Sequence, residues 1–459
     1  MATLIEQKPL YNTLPVGQDV IFTVSNTSVV STFTNVKFIA EVHISSTFAP
    51  NPNTSTDIVG TFKTTPNNAG VGMFDFRPII ESFVNADNLA RQGSSYKTVV
   101  NTSDTNVPLH LIDKYSGNVN SMRYLFVRFK IEYIDAAGDL VTTDIKDSDL
   151  YTIFNGYLKY TDVLDLVDVN FGYSLSNFNL SSSTDSFLSN APSTQYANLE
   201  DYGTLSFLAP NDNLKYIKLK YIDSTGSLLA QENVDRLTVN GAYDGYNGYI
   251  GMELLYFGCF PANLQNWSTT FQALVTAGTI QGGKILIEAF NSGAISKDYT
   301  ININCPSLKG FEPIRLAWMN QWGAWDYYTF NMKSTKMIST KGSTYQQLEG
   351  SWNKSAYRID SFKGGKKAFR VNATEKITMN TDFVNESESE WFEELINSPE
   401  VYILKGYNDV VETSSALNQY VTPVRLTTSS FTKKTVANDK LMQYTFEVEK
   451  AKTLRTQSV

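Results

Sequence analysis

The side chains that could carry acid–base or metal chemistry are few in this chain of 459 residues. His43 and His110 are its only histidines, and neither has a companion at the spacing of a catalytic or metal-binding motif. Cys259 and Cys305 lie far apart without a CxxC pattern, which favours two buried free thiols over a disulfide or a zinc site. Walker A, GxSxG and HExxH motifs are absent from the sequence. We therefore predict no catalytic residue, no metal site and no cofactor, and we expect a protein that is not an enzyme.

Acidic clusters are the second possible source of chemistry, because glycoside hydrolases need only two carboxyl groups about 5–9 Å apart. One cluster falls in the first two turns of a predicted helix, where acids complement the helix dipole and face water. It comprises Glu386, Glu388, Glu390, Glu393 and Glu394. Two Asp-rich runs could bind calcium but lack the glycine and terminal glutamate of an EF-hand. They are Asp144, Asp147 and Asp149, and Asp162, Asp165, Asp168 and Asn170. We interpret all three groups as structural.

The segment Arg315–Phe330, RLAWMNQWGAWDYYTF, concentrates three tryptophans and three other aromatic residues. Alternation on either side of Gln321–Gly323 predicts a strand, a glycine turn and a second strand. The aromatic face of such a hairpin must be covered, either by the core of this chain or by another subunit. The residues that a subunit interface would use are Trp318, Trp322, Trp325 and Tyr327.

A second candidate contact region is the Tyr- and Gly-rich stretch from Gly241 to Gly251. Its residues Tyr243, Tyr246 and Tyr249 offer large amphipathic surfaces, and its glycines let a loop adapt to a partner. The loop could face a sugar or a neighbouring subunit. Equally, the tyrosines could pack on their own domain.

Charge is unevenly distributed along the chain. Residues 331–376 contain ten Lys or Arg and three acidic residues, which is a net charge of +7. Since the whole chain has a net charge of −8, the remaining residues together carry −15. A bipolar molecule can stack head to tail with its own copies or meet an acidic neighbour. A basic run can also bind nucleic acid, or it can be a solvated face.

The composition indicates many short strands joined by polar turns. Aromatic residues make up 13% and charged residues 18%, against a typical charged content of about 25%. The chain lacks an apolar run of 18 residues, so we expect no transmembrane helix, and the pattern of a signal peptide is not visible at its N-terminus. The fold class is predicted to be mainly β, with several Ig-like β-sandwich domains and a few short helices.

We predict three domains: β-sandwiches at 1–165 and 166–305, and a C-terminal β domain at 306–459 that contains a helix near 388–397. A capping box at Ser387–Glu390 begins that helix, Trp391 and Leu395 share one face, and Pro399 follows it. An internal echo supports repetition of one architecture. Tyr133–Leu140 reappears as Tyr221–Leu228, and each copy places Asp and Gly at the corners of a turn.

A resemblance rests on two motifs of the C-terminal third. The first consists of Arg315, Leu316, Trp318, Asn320, Gly323, Trp325, Asp326, Tyr328, Thr329 and Phe330. The second is Trp391–Leu395 followed by Ser398–Tyr402. Together, mainly over residues 310–450, they resemble virion structural proteins of tailed phages that infect Bacteroidetes, in particular tail ring or collar proteins of crAss-like phages.

This resemblance implies β-sandwich domains, a cyclic homo-oligomer and no chemistry of its own. It implies contacts with other tail or portal-proximal proteins, no membrane, and nucleic acid at most by passage through a channel. The protein would be made in the bacterial host cytoplasm and incorporated into the phage tail. Two alternatives stay open. One is a carbohydrate- or receptor-binding adhesin or tail-fibre module that uses Tyr243, Tyr246 and Tyr249, and the other is a polysaccharide-degrading enzyme.

Overall fold

Strands account for 47% of the structure and helices for 14%, which confirms the predicted mainly-β class with several sheets and few short helices. The computed structural model describes residues 3–46, 57–97, 99–100, 107–168, 174–210, 213–236, 252–305, 310–351, 355–407, 419–428, 430, 432 and 442–455. Within these ranges, no helix combines the length and the apolar character that a bilayer span requires.

The chain divides into two compact units. Unit one comprises Met1–Pro306, Met319–Tyr327 and Gly406–Asn418, and unit two comprises Ser307–Trp318, Tyr328–Lys405 and Gln419–Val459. The first change of unit falls after Pro306, and the division into three domains stays a prediction. Residues 1–165 and 166–305, which we predicted as separate domains, fall together in unit one.

The first part of unit one is a sandwich of two sheets. Strands β1, β3 and β6 form one sheet, and the order β2–β12–β10–β4–β5, with β11 added to β10, forms the other. The strands up to residue 154 are β1 (Leu4–Gln7), β2 (Thr13–Pro15), β3 (Ile21–Ser25), β4 (Thr34–Ser45), β5 (Ile58–Thr64), β6 (Val71–Asp75), β7 (Ser95–Tyr96), β8 (Val99–Val100), β9 (Tyr115–Gly117), β10 (Met122–Ile134), β11 (Leu140–Asp147) and β12 (Tyr151–Phe154).

The core of this sandwich lies between the two sheets because alternate residues of each strand point inward. Phe22 of β3 and Phe74 of β6 both contact Phe129 of β10, with ring centroids 5.7 and 5.8 Å apart. Phe22 also meets Tyr151 of β12 edge-on at 5.6 Å. These rings bridge the sheets, so their burial joins strands that are distant in sequence.

The second part of unit one repeats the two-sheet arrangement. Its sheets have the orders β13–β19–β18–β15–β16 and β14–β17–β9. The strands are β13 (Thr194–Ala197), β14 (Thr204–Pro210), β15 (Tyr216–Ile222), β16 (Leu228–Asp235), β17 (Met252–Gly258), β18 (Lys284–Phe290) and β19 (Tyr299–Ile303).

Strand β9 explains why the predicted boundary at 165/166 does not separate two units. It comes from the first 165 residues but pairs with β17 of the second sandwich. The hydroxyl of Tyr115 in β9 donates to the carbonyl of Val234 in β16 at 2.7 Å and accepts from the amide of Ile217 in β15 at 3.0 Å. The second sandwich is thus completed by a strand from the first segment of the chain.

The echoed sequences form matching hairpins, one between β10 and β11 and the other between β15 and β16. In the first turn, Asp135 Oδ1 accepts the amides of Ala137 and Asp139, both at 2.9 Å. In the second, Asp223 Oδ1 accepts the amides of Thr225 and Ser227, both at 2.8 Å. Gly138 and Gly226 have φ of +89° and +92°. The predicted turn chemistry is confirmed at both positions.

Short helices connect these strands. They are α1 (Thr27–Thr32), α2 (Arg77–Ile80), α3 (Tyr160–Leu166), α4 (Pro261–Trp267) and α5 (Thr269–Thr276), with 3-10 turns at Glu81–Phe83, Leu109–Leu111 and Ser176–Phe178. The side chain of Ser268 accepts the amide of Phe271 and so caps α5.

Unit two contains most of a seven-stranded sheet with the order β21–β20–β26–β27–β28–β25–β22. The strands of this region are β20 (Ile314–Met319), β21 (Trp325–Phe330), β22 (Thr335–Gln347), β23 (Gly350–Ser351), β24 (Arg358–Ile359), β25 (Gly365–Asn380), β26 (Val401–Leu404), β27 (Val421–Leu426) and β28 (Thr445–Lys450). The helix α6 (Glu386–Asn397) packs Phe392 against Phe446 of β28, with ring centroids 5.5 Å apart.

The N-terminus of α6 corrects one prediction. The capping box consists of Asn385 and Glu388, not Ser387 and Glu390. Asn385 Oδ1 accepts the amide of Glu388, and Glu388 Oε2 accepts the amide of Asn385, both at 2.9 Å. The helix therefore begins two residues earlier than predicted, because Asn caps a helix as well as Ser does. Trp391 and Leu395 are buried on one face, as predicted.

Candidate functional site

The aromatic segment forms the predicted strand, turn and strand. The turn is closed by hydrogen bonds between Asn320 and Ala324 and from the Gly323 amide to the Asn320 carbonyl, at 2.9 and 3.0 Å. Gly323 has a φ of +68°. The Asn320 side chain also accepts the amides of Trp322 and Ala324, at 3.0 and 3.1 Å. Residues 319–327 therefore hold a fixed conformation through local bonds.

Three of the four candidate interface rings of this hairpin belong to unit one, and all three are buried there. Trp325 donates from Nε1 to the carbonyl of Asp87 at 2.8 Å. Trp322 packs against Phe178 with ring centroids 4.3 Å apart. The Tyr327 hydroxyl lies 2.9 Å from His110 Nδ1. The exposed fractions of Trp322, Trp325 and Tyr327 are 2%, 2% and 3%.

Trp318 belongs to unit two and has no exposed surface. Its ring centroid lies 4.8 Å from that of Trp391 and 6.4 Å from that of Phe392, both on α6. The core-packing alternative therefore accounts for Trp318, Trp322, Trp325 and Tyr327. The structure corrects their assignment to a subunit interface, because these rings are covered by the chain itself. Tyr243, Tyr246 and Tyr249 lie outside the described residues.

Both histidines are buried. His43 lies edge-on to Phe126 at 5.6 Å, and burial lowers its pKa below the usual value. His110 is held between Trp325 and Tyr327, with ring centroids at 4.9 and 5.6 Å. Each ring thus sits among aromatic side chains in the core, which is the setting of a packing residue.

Asp87 is a buried polar residue that the sequence does not distinguish from other acids. Its Oδ1 accepts the backbone amides of Val119, Asn120 and Ser121, and its Oδ2 accepts the hydroxyls of Ser121 and Tyr256. Burial raises the pKa of its carboxyl group. Because five donors occupy the carboxylate, we assign Asp87 the role of fixing the loop 119–121 rather than a chemical role.

The acidic clusters are engaged by the chain's own donors. Asp162 accepts from Gln321 at 2.6 Å, Asp147 pairs with Arg128 at 2.8 Å, and Asp149 pairs with Lys8. In the α6 cluster Glu388 belongs to the capping box, and burial raises its pKa. Glu394 is buried, which differs from the expectation that this cluster faces water. Among the described residues, no group of three or more His, Cys, Asp or Glu is placed to hold a metal ion.

Neither cysteine takes part in a disulfide bond. Cys259 is buried, as predicted, whereas Cys305 is exposed. The prediction of two buried thiols is therefore right for Cys259 and wrong for Cys305.

Unit two has an exposed two-stranded ribbon, which we call the arm: β22, β25 and the described residues between them, 348–351 and 355–364. The strands contain 13 and 16 residues and pair along the full length of β22. At about 3.4 Å per residue, β22 is roughly 44 Å long. Only residues 376–380 of β25 pair with β28, and an isolated bridge joins Ala373 to Leu454. Among the described strands, β22 is the only one that pairs with residues 365–372 of β25.

The described residues at the end of the arm, 348–351 and 355–364, are what we call the arm tip. Strands β23 and β24 pair within it, and the amide of Lys363 donates to the carbonyl of Asp360 at 2.9 Å. The amide of Asp360 donates to the carbonyl of Glu349, also at 2.9 Å. These bonds fix the positions of Ile359 and Phe362, whose exposed fractions are 72% and 73%.

The arm exposes many large apolar side chains. Its exposed apolar residues are Met337, Ile338, Tyr345, Leu348, Tyr357, Ile359, Phe362, Phe369 and Val371, with exposed fractions from 38% to 73%. At about 200 Å² for each large side chain, these fractions correspond to roughly 1,000 Å². These side chains are spread over both faces and the tip of the arm, so the sum is not one contiguous patch. It shows that apolar surface is exposed along the whole length of the arm.

The arm is also basic. Lys341, Arg358, Lys366, Lys367 and Arg370 have no carboxylate partner among the described residues. Lys336, Lys363 and Lys376 are paired, with Glu312, Asp360 and Glu447. The unpaired cations lie beside the exposed apolar side chains, so the arm combines apolar surface with positive charge.

Comparisons with known proteins give no relative that identifies the chain. No protein-family model matches it, and no curated protein matches it. Among solved structures, it is similar to the native conformation of E. coli alpha-2-macroglobulin, with 7% sequence identity and a TM-score of 0.17. The match covers 82% of this chain and 22% of the other, so the chain spans about a fifth of that protein. This TM-score is too low to carry an argument about fold or function.

Proposed function

We propose that this chain is a non-enzymatic structural component of a bacteriophage virion. It builds a ring or collar layer of the tail by cyclic self-assembly and contacts neighbouring tail proteins. The observation that carries the proposal is the arm, whose exposed apolar surface calls for a partner. The resemblance of residues 310–450 to tail ring and collar proteins supplies the setting.

The stability of a two-stranded ribbon supports an assembly role. A single hairpin is marginally stable in water, and a third strand, a helix or a second sheet normally covers one of its faces. Over residues 341–347 and 365–372 the arm has neither a third described strand nor a described helix. Met337 and Ile338 are neighbours in β22 and point to opposite faces, and both are exposed. Both faces therefore have apolar surface available for a partner.

The uneven charge supports a ring rather than a symmetric dimer. Segment 331–376 carries +7 and the remainder of the chain −15. A cyclic assembly needs heterologous contacts, in which one patch of a subunit meets a different patch of the next. A basic patch against an acidic body satisfies that requirement, whereas two basic patches facing each other repel.

The test is electron microscopy of the purified full-length protein at low and high concentration. The proposal expects closed rings of uniform diameter and rotational symmetry. Monomers at every concentration would contradict self-assembly. If those monomers also bound a glycan array, and Tyr246→Ala abolished the binding, the adhesin alternative would replace the proposal.

A further inference from the structure

We propose that the arm tip of one subunit docks onto the acidic unit one of a second copy of this chain. The inference rests on the proposed self-assembly and names the residues that make the contact between subunits. They are the apolar residues Ile359 and Phe362 and the basic residues around them. The arm tip is the donor patch and unit one of the next copy is the acceptor.

Shape and order favour the tip as the contact. Its residues 349–351 and 358–363 are held by the pairing of β23 with β24 and by two further backbone hydrogen bonds, and Gly364 follows with a φ of +96°. A preorganised segment loses little conformational freedom on binding, so more of the contact energy becomes affinity. Phe362 stands at the turn with 73% of its surface exposed, and Lys367 Nζ donates to its backbone carbonyl at 2.8 Å. An exposed aromatic anchor suits the centre of an interface, and the lysines around it suit the polar rim.

The charge distribution favours a second copy of this chain as the partner of the arm tip. Outside segment 331–376 the chain carries −15, so a second copy offers a predominantly acidic surface. Lys366 and Lys367 have no described carboxylate partner within their own chain. An acidic surface on another subunit would supply the missing counter-charge.

Unit one has exposed positions that match the tip in chemistry. The β10–β11 turn carries Asp135 and Asp139 and is followed by Leu140, which is 66% exposed. The β15–β16 turn carries Asp223 and is followed by Leu228, which is 59% exposed. Both leucines lie on strands at the edge of the described pairing. An acidic turn beside an exposed leucine complements an apolar tip with lysines.

The first experiment compares association by sedimentation velocity in the unchanged chain and three double variants. The double variant Ile359→Ser/Phe362→Ser should associate about a hundredfold more weakly than the unchanged chain, because two large side chains are no longer buried. The control Met73→Ser/Tyr160→Ser removes two side chains of similar exposure, 63% and 76%, from unit one outside the two turns. It should associate normally. Lys366→Glu/Lys367→Glu gives a second, independent weakening by charge reversal.

The second experiment identifies the acceptor. Equal amounts of unlabelled and ¹⁵N-labelled full-length protein are mixed and treated with a carbodiimide, which joins a lysine amine directly to a carboxylate. Mixed-isotope links from Lys363, Lys366 or Lys367 to unit-one carboxylates are expected. Links only between arm tips, or only within one chain, would overturn the inference.

The outcomes separate the two proposals. If the unchanged chain does not assemble, the proposed function fails. If it assembles and the tip variants assemble equally well, only the docking inference fails. If the tip instead binds duplex DNA, with a loss in Lys366→Glu/Lys367→Glu and no effect on assembly, the partner is nucleic acid and the second-copy inference is wrong.

Discussion

The substitution Gly323→Ala tests how tightly the aromatic hairpin is packed in unit one. A Cβ atom at residue 323 would lie 2.0 Å from the carbonyl oxygen of Asn155 and 2.7 Å from its carbonyl carbon. These are backbone atoms, and the amide of Asn155 is itself bonded to the carbonyl of Ser121 at 2.9 Å. Residue 155 therefore cannot move away without breaking a neighbouring contact.

The expected loss of stability has two parts. The φ of +68° costs a non-glycine residue about 1–2 kcal/mol. Crowding of a packed site typically costs a further ~1–3 kcal/mol. Gly323→Ala should therefore lower the free energy of unfolding by about 2–5 kcal/mol. Gly226→Ala is the matched control, because its φ is +92° but nothing lies within 4 Å of the added Cβ. It should lose only the backbone part, about 1–2 kcal/mol.

The assay is urea unfolding of both variants, followed by tryptophan fluorescence, because Trp322 and Trp325 flank the altered turn. The difference between the two variants is the crowding cost alone. Equal losses in Gly323→Ala and Gly226→Ala would refute the close approach to Asn155, and with it the description of the hairpin as a fixed part of the core.

Three further predictions concern the core and the echoed turns. Asp87→Ala should lower the free energy of unfolding by about 3–5 kcal/mol in urea titrations, because the buried amide of Ser121 and the part-buried amides of Val119 and Asn120 lose their acceptor. Asp87→Asn keeps one acceptor oxygen and should lose less, and equal losses would contradict this assignment. Hydrogen bonds from Thr225 and Ser227 hold the pKa of Asp223 in the folded protein below its usual value. The ionised carboxylate therefore stabilises the fold at pH values above its pKa in the unfolded chain. This stabilisation is lost as the pH falls through its pKa in the folded protein. The unfolding midpoint should therefore fall less in Asp223→Asn than in the unchanged chain between about pH 5 and 3; an identical fall would argue against the capped turn. Iodide should quench Trp318, Trp322 and Trp325 equally poorly in monomer and assembly, and protection that appears only on assembly would restore the interface role of these rings.

Local chemistry was the predictable part of this fold. The Asp and Gly residues of the two echoed turns act within five residues of each other, so their sequence is enough to predict the turn. Trp391 and Leu395 were placed correctly because helical spacing alone puts them on one face. The start of α6 was predicted two residues late, because Asn385 and Ser387 are both good caps and only the structure shows which side chain is used.

Long-range placement could not be predicted from the sequence. Strand β9 joins β17 across more than a hundred residues, and no local pattern records that pairing. The sequence did not show whether the chain's own core or another subunit covers the aromatic segment, because a buried hairpin and an exposed hairpin have the same alternation of residues. Segment 331–376 was recognised only by its charge. The mixture of Thr, Lys, Ser and apolar residues in β22 lacks a clean apolar stripe, so the arm and its exposed surface emerged from the structure alone.

The mass of the purified chain in solution tests the central claim most directly. Light scattering after size exclusion should give a single large multiple of 51.4 kDa at low salt. The mass should fall above about 0.5 M salt, where the Debye length shrinks to a few Å. The Ile359→Ser/Phe362→Ser variant should elute at the monomer mass at low salt. A monomer mass for the unchanged chain under the same conditions would contradict self-assembly.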